Sequence, residues 1–300
     1  MDSRKALDGR AAGIMLVLCV IWGLQQVVLK AAAADISPLM QIALRSGIAA
    51  LLVGALMVWR KESPALADGS WRPGLLVGLF FGLEFLFVGE GLRFTSASHM
   101  VVFLYTAPIF VALGLHSKLP AERLSRLQWL GIAFAFTGIV VTFAGRNAPP
   151  GAADPANILW GDALALLAGI FWGATTIVVR LSQLSRAPAT QTLFYQLAAG
   201  FVLLLPAAIL LGQTSIELTT LSIGSLLFQS VIVSFASYLG WFWLLRRYLA
   251  SRLGVFSFMT PLFGLGFGVW LLDEPLEASF LFGAIFVLIG VVMVSGSRRA

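Results

Sequence analysis

The sequence predicts an all-α integral membrane protein of ten transmembrane helices, arranged as two inverted five-helix repeats. Three observations carry this. Apolar runs of about 20 residues, enough to cross a hydrocarbon core of about 30 Å, recur along the 300 residues. Lys and Arg gather at alternate ends of those runs, and the second half of the chain echoes the first. Composition agrees, with 59% of residues hydrophobic, 11% charged and a mean hydropathy of +0.92, whereas a soluble domain is about one quarter charged. A soluble core of this length could not enclose so much apolar surface.

In order, the spans are expected at 11–33, 37–59, 73–94, 97–116, 127–146, 157–181, 187–211, 221–247, 252–272 and 277–296. The runs are continuous rather than alternating, which favours helices over barrel strands. In lipid a helix satisfies its backbone N–H groups within its own segment. Sixteen basic residues fall on one side of this arrangement: Arg4, Lys5, Arg10, Arg60, Lys61, Arg72, Lys118, Arg123, Arg126, Arg180, Arg186, Arg246, Arg247, Arg252, Arg298 and Arg299. Lys30, Arg93 and Arg146 fall on the other. The asymmetry places both termini in the cytoplasm and the chain in the inner membrane. It also accounts for the net charge of +6 and leaves no reason to expect a nucleic-acid partner.

The basic start, first apolar run and Ala31-Ala32-Ala33 imitate a cleaved signal peptide. That run is long for such a segment, carries Gln25 and Gln26, and recurs later, so it is expected to remain as the first span. The single cysteine, Cys19, allows no disulfide within the chain and no cysteine metal cluster. No metal or cofactor is expected.

The repeat divides the chain into 1–150 and 151–300. Ile21-Trp22-Gly23 returns as Phe171-Trp172-Gly173, while Lys30, Ser37-Pro38 and Gln41 return as Arg180, Ala187-Pro188 and Gln191. Thr106-Ala107-Pro108 matches Met259-Thr260-Pro261, Leu119 and Glu122 match Leu271 and Glu274, and Gly131 and Gly138 match Gly283 and Gly290. Five spans per unit is an odd number, so the second unit enters the bilayer with opposite polarity. Transporters use such pseudo-symmetry to open one central site to either side in turn.

Gly91-Leu92-Arg93-Phe94-Thr95-Ser96-Ala97-Ser98, running into Leu104-Tyr105-Thr106-Ala107-Pro108-Ile109-Phe110, resembles the third-to-fourth helix signature of the EamA branch of the drug/metabolite transporter superfamily. Leu272-Asp273-Glu274-Pro275-Leu276 with Gly283 and Gly290 resembles its closing segment. Trp22-Gly23 and Trp172-Gly173 resemble the opening of each half. The resemblance covers essentially the whole chain. It implies a basket in which spans 1, 3, 4, 6, 8 and 9 surround a central cavity, and a secondary transporter exporting small metabolites such as amino acids. Within that family the chain is similar to YddG-type exporters, which are associated with aromatic amino acids.

Charge inside hydrocarbon costs about 2.5–3.5 kcal/mol on insertion scales, so an intramembrane ionisable group is a functional candidate. Two are expected to lie deep, Glu84 in span 3 and Arg45 in span 2. Glu84 could carry a proton or attract a substrate ammonium; the alternative is a structural ion pair with Arg45. Gln25, Tyr105, Thr175, Ser237, Tyr238 and Ser257 lie near the same depth and suit a cavity for a small polar solute, although each alone could be a helix-to-helix hydrogen bond. Trp22, Trp172 and Phe87 could supply an apolar wall for large side chains, or act as interface anchors and lipid-facing filler. Pro108 and Pro261, equivalent in the repeat, are expected to kink spans 4 and 9 as gates or for packing. Gly131, Gly138 and Gly145 on span 5, like Gly283 and Gly290 on span 10, form a small-residue face for a neighbouring helix or, in a homodimer, a second copy.

No GxxxxGK[ST] phosphate loop is present, so ATP is not expected as the direct drive. A multidrug cation–proton antiporter is the main alternative, disfavoured by Gln25 and Gln26 where the small multidrug transporters carry a carboxylate. A phosphate-ester exchanger would need several cavity cations. An intramembrane hydrolase lacks G-x-S-x-G and an aspartate pair, and His99 and His116 are expected near opposite faces. No catalytic residue is therefore expected. A sensor or scaffold without flux is disfavoured by the short loops.

Overall fold

The structure, a computed structural model, describes residues 8–62, 69–118, 123–144, 155–248, 257 and 259–296. The positions Arg4, Lys5, Leu119, Glu122, Gly145, Arg146, Arg252, Arg298 and Arg299 lie outside the described residues. Among the described residues the α-helices are, in chain order, α1 (Gly9–Ala31), α2 (Pro38–Trp59), α3 (Trp71–Phe94), α4 (Ala97–Leu104), α5 (Ala107–Lys118), α6 (Arg126–Ala144), α7 (Pro155–Leu181), α8 (Ala189–Leu210), α9 (Thr220–Leu227), α10 (Tyr238–Arg247), α11 (Met259–Leu272) and α12 (Ala278–Gly296). A 3-10 turn, Gln183–Ser185, precedes α8, and a π-helical stretch, Phe228–Ser237, joins α9 to α10. Among the described residues the only β pairing is one bridge between Ile36 and Ile216.

Among the described residues seven stretches are long and apolar enough to cross a membrane. They are α1, α2, α3, α4 with α5, α7, α8, and α9 with the π stretch and the start of α10; α6, α11 and α12 contain shorter apolar helices. Exposed Leu51, Val58, Leu210 and Trp270 face outward, as an apolar surface in lipid requires.

Local chemistry sets the starts. Asp8 caps α1 by accepting from Ala11 N at 2.8 Å, and Tyr248 donates to the other Asp8 oxygen at 2.9 Å. Ser37 caps α2 ahead of Pro38, whose missing N–H costs nothing in a first turn. Ser96 caps α4, and Thr219 with Ser222 forms a reciprocal capping box on α9.

The fourth span is not one bent helix. It stops at Leu104 and restarts at Ala107, so Pro108 is the second residue of α5 rather than a mid-helix kink. Proline removes one hydrogen bond and clashes with the preceding turn, and at this break the Phe103 carbonyl accepts from both Thr106 N at 3.1 Å and Thr106 Oγ1 at 2.6 Å. Pro261 is the third described residue of α11, and Ser257 ahead of it is helical as well.

Inside, α3 packs on α7 and α8, α2 crosses α8, α1 lies along α11, and α6 pairs with α12. A Cβ on Gly23 would strike Phe263 and the Gly264 backbone, and one on Gly173 would strike Phe110 and the Ala107 carbonyl. Gly138 meets Gly283 and Val287, while Gly290 meets Gly131 and Ala135. The small-residue faces of α6 and α12 therefore cover each other within one chain, which leaves Gly138 and Gly290 unavailable to a second copy.

The corner between α3 and α4 is held by two buried-end charges. The Lys30 ammonium donates to the carbonyls of Leu92 and Thr95, the latter at 2.9 Å. Glu274 accepts from Ala97 N at 2.6 Å, Ser98 N at 3.0 Å and Ser98 Oγ at 2.6 Å. A cation thus ends one helix and an anion begins the next, each matching the local dipole. Asp273, at φ +51, turns the chain so that Glu274 can reach back. Glu274→Gln keeps the shape but removes the charge from these bonds. It is expected to lower stability by about 1–3 kcal/mol, read as a reduced melting temperature of the purified protein in detergent.

Candidate functional site

The π-helical stretch decides which side chains meet at the centre. Its buried face is polar: Gln229, Ser230, Ser234 and Ser237, with Val233 among them. π-helical turns are rare and occur mostly at functional sites. Two bonds zip this span to α2 at matched four-residue spacing: Ser225 Oγ donates to Gln41 Oε1 at 2.6 Å, and Arg45 Nη1 donates to Gln229 Oε1 at 2.6 Å. Gln229 Nε2 in turn donates to the Gln25 carbonyl of α1 at 2.8 Å.

Beyond the π stretch, Ser237 Oγ accepts from Trp22 Nε1 at 2.9 Å and donates to the Val233 carbonyl at 2.5 Å. Trp22 meets Trp241 edge-on at 5.7 Å between centroids. Across the centre, Tyr105 at the α4–α5 break meets Trp172 edge-on at 5.1 Å. The Tyr105 hydroxyl lies beside Thr260, within electrostatic range of Tyr238 and Glu84. Tyr238 also senses both Glu84 and Arg45. Thus Trp22, Glu84, Tyr105, Trp172, Ser237 and Tyr238 converge from α1, α3, the α4–α5 break, α7 and the eighth span. Thr175 is buried on α7 with its hydroxyl unpartnered. Phe87 meets Phe171 at a tilt, with ring centroids 5.6 Å apart, rather than the tyrosines. Ser257 is partly buried, its neighbours in sequence lying outside the described residues.

Glu84 and Arg45 form no ion pair with each other. Among the described residues Glu84 makes neither a salt bridge nor a hydrogen bond, while retaining 6% of its surface. Arg45 is fully enclosed and lies over the Phe85 ring at 4.4 Å. In this conformation Glu84, Tyr105 and Ser237 are buried, while Trp22, Trp172 and Tyr238 keep part of their surface exposed. Open space appears at the two ends: a cavity of about 840 Å³ lined by Arg72, Arg180 and Arg186, and one of about 380 Å³ lined by Lys30, Arg93 and Gln213.

A third buried charge stands toward one end of the bundle. Asp162 on α7 is fully enclosed, accepting from Thr95 Oγ1 at 2.5 Å and lying 3.0 Å from His99 Nδ1. His99 stacks on Phe280 at 3.9 Å. Asp162 sits so early in its apolar run that only its enclosure by Thr95 and His99 singles it out. Gln229 carried a readable signal, because Ser225, Gln229 and Ser237 are polar at helical spacing within an apolar run.

One family model, described as EamA-like transporter family, matches residues 10–144 and again 159–296. The chain belongs to this family. It is similar to the Uncharacterized transporter YoaV of Bacillus subtilis, with 24% identity over 93% of this chain and 94% of that protein. It is also similar to a Probable amino-acid metabolite efflux pump of Salmonella typhimurium, with 29% identity over 99% of this chain and 97% of that one. A crystal structure with 19% identity superposes with a TM-score of 0.64 over 97% of this chain and all of the other, showing the same fold. The EamA chain is therefore a multi-pass membrane protein and a small-molecule transporter.

Removing the acceptor at Asp162 strands two buried donors. Asp162→Ala is expected to cost roughly 1–3 kcal/mol, read as a fall in melting temperature. The volume-filling pair Asp162→Leu with His99→Phe is expected to recover part of the loss, since apolar replacement of both partners is nearly neutral.

Proposed function

We propose that this protein is a secondary exporter of amino acids, large apolar and aromatic ones included, working by alternating access around the central cluster. The observation that carries the reading is Glu84, a carboxylate at the centre without a salt bridge or hydrogen bond, in a group that includes two tyrosines and two tryptophans. A lone anion there is expensive unless something cationic visits it, and an amino acid brings an ammonium while a proton brings a charge. The name of the Salmonella relative supports the same substrate class.

Ten spans in two inverted repeats, 1–150 and 151–300, provide the moving frame. Contacts that swap between halves support it. Trp22-Gly23 rests against Thr260–Gly264 as Trp172-Gly173 rests against Ala107–Val111. Gln41 takes a bond from Ser225, and its repeat mate Gln191 gives one to Ser70 at 3.0 Å. The double match of one family model has the same sense. The basic residues at one face support an inner-membrane protein with both termini cytoplasmic.

The same lone carboxylate among aromatic rings also suits an apolar organic cation, which makes a drug-cation–proton antiporter the second reading. Proteoliposomes separate the two. Wild-type protein is expected to carry radiolabelled phenylalanine, methionine or threonine above empty vesicles, driven by an imposed proton gradient. Glu84→Gln is expected to lose at least tenfold of the gradient-driven flux. Transport of ethidium with no amino-acid flux would replace the first reading by the second.

A further inference from the structure

Arg45 is charged, wholly enclosed and without an ion pair among the described residues. Its Nη1 reaches Gln229, but its Nε and Nη2 donors have no hydrogen-bond partner. The face of Phe85 at 4.4 Å attracts the cation without giving those two N–H groups an acceptor. A buried guanidinium with no carboxylate in contact and two of its bonds unmade is a costly arrangement.

Packing does not demand this cost. Gln41 corresponds to Gln191 in the repeat, so Arg45 corresponds to Tyr195. Tyr195 packs its ring over Gly74 of α3 with its backbone beside Gly78, and that side chain is partly exposed and carries no charge. The cation therefore belongs to one half only and asks for a functional reason. The unfilled edge of a guanidinium, with parallel N–H donors, matches a carboxylate in a bidentate fork. Glu84 and the Tyr238 hydroxyl lie within electrostatic range of it. Ser230 and Ser234 on the π stretch also have buried hydroxyls with no partner.

We propose that Arg45 is the receptor for the carboxylate of the transported solute, with Glu84 facing the ammonium end, which restricts the cargo to zwitterions. This rests on the export reading above and gives that site its specificity. In this conformation the guanidinium is covered. Gln229, the side chain that holds it, stands on the π stretch, so parting the seam between α2 and that stretch uncovers the free edge to substrate.

The test compares free phenylalanine, methionine and threonine with their methyl esters, which keep the amine and side chain but lack the carboxylate. In wild-type proteoliposomes the free acids are expected to be carried at least tenfold faster than the esters. Arg45→Lys, which keeps the charge and loses the fork, is expected to reduce that preference at least tenfold. The melting temperature of the purified variant, with and without free acid, reports folding and binding separately from flux. Esters carried as well as acids by the wild type overturn the Arg45 role while leaving a transporter of amines. A full acid preference in folded Arg45→Lys and Arg45→Gln also overturns it. Absence of flux for all six compounds removes the amino-acid reading together with its carboxylate site.

Discussion

Hydrocarbon offers no hydrogen-bond partners, so every polar group placed at membrane depth must find one inside the protein. That constraint organises this fold from its corners inward. At the α3–α4 corner, where two helices meet and leave carbonyls and amides open, Lys30 takes the carbonyls and Glu274 takes the amides. At the α4–α5 break, Thr106 returns its hydroxyl to Phe103. The irregular places are therefore sealed by side chains from other elements, and the sealing groups are the ones that fix how those elements approach.

Where the rule is satisfied the groups read as architecture, and where it is not they stand out. Asp162, His99 and Thr95 satisfy one another at one end of the bundle. Glu84, the far edge of Arg45, Thr175, Ser230 and Ser234 do not. These groups stand on α2, α3, α7 and the π stretch, and Gln26 on α1 and Thr260 on α11 add unpartnered oxygens, as do Gln191 and Gln213 at the two ends of α8. Apolar closure around unpaired polar atoms is what a site would look like between visits of its ligand, when nothing inside the protein duplicates the ligand's own donors and acceptors.

Much of this was legible in the chain. A charge inside an apolar run announces itself, so Glu84 and Arg45 could be singled out directly, and the glycines at seven-residue spacing correctly mark close-packed faces. The partners were not legible, because Arg45 meets Gln229 across 184 positions and no periodicity encodes that distance. Asp162 was not legible because an acid five or six residues into a run resembles any residue near the membrane edge, and its partners Thr95 and His99 lie more than 60 positions away. Pro108 pointed to the right region but the wrong geometry, since a proline consistent with a kink is equally consistent with the first turn of a new helix.

The π stretch has a further consequence for the eighth span. Wider turns accommodate extra residues, and the helix beyond them is rotated relative to a continuous α-helix, where each residue advances the phase by about 100°. Tyr238 and Trp241 owe their inward direction to that offset. Loss of one residue between Phe228 and Ser237 would let the span relax to ordinary winding and swing α10 by a quarter-turn or so, carrying its aromatic side chains toward lipid. Chain length within those ten positions, as much as residue identity, sets the wall of the site.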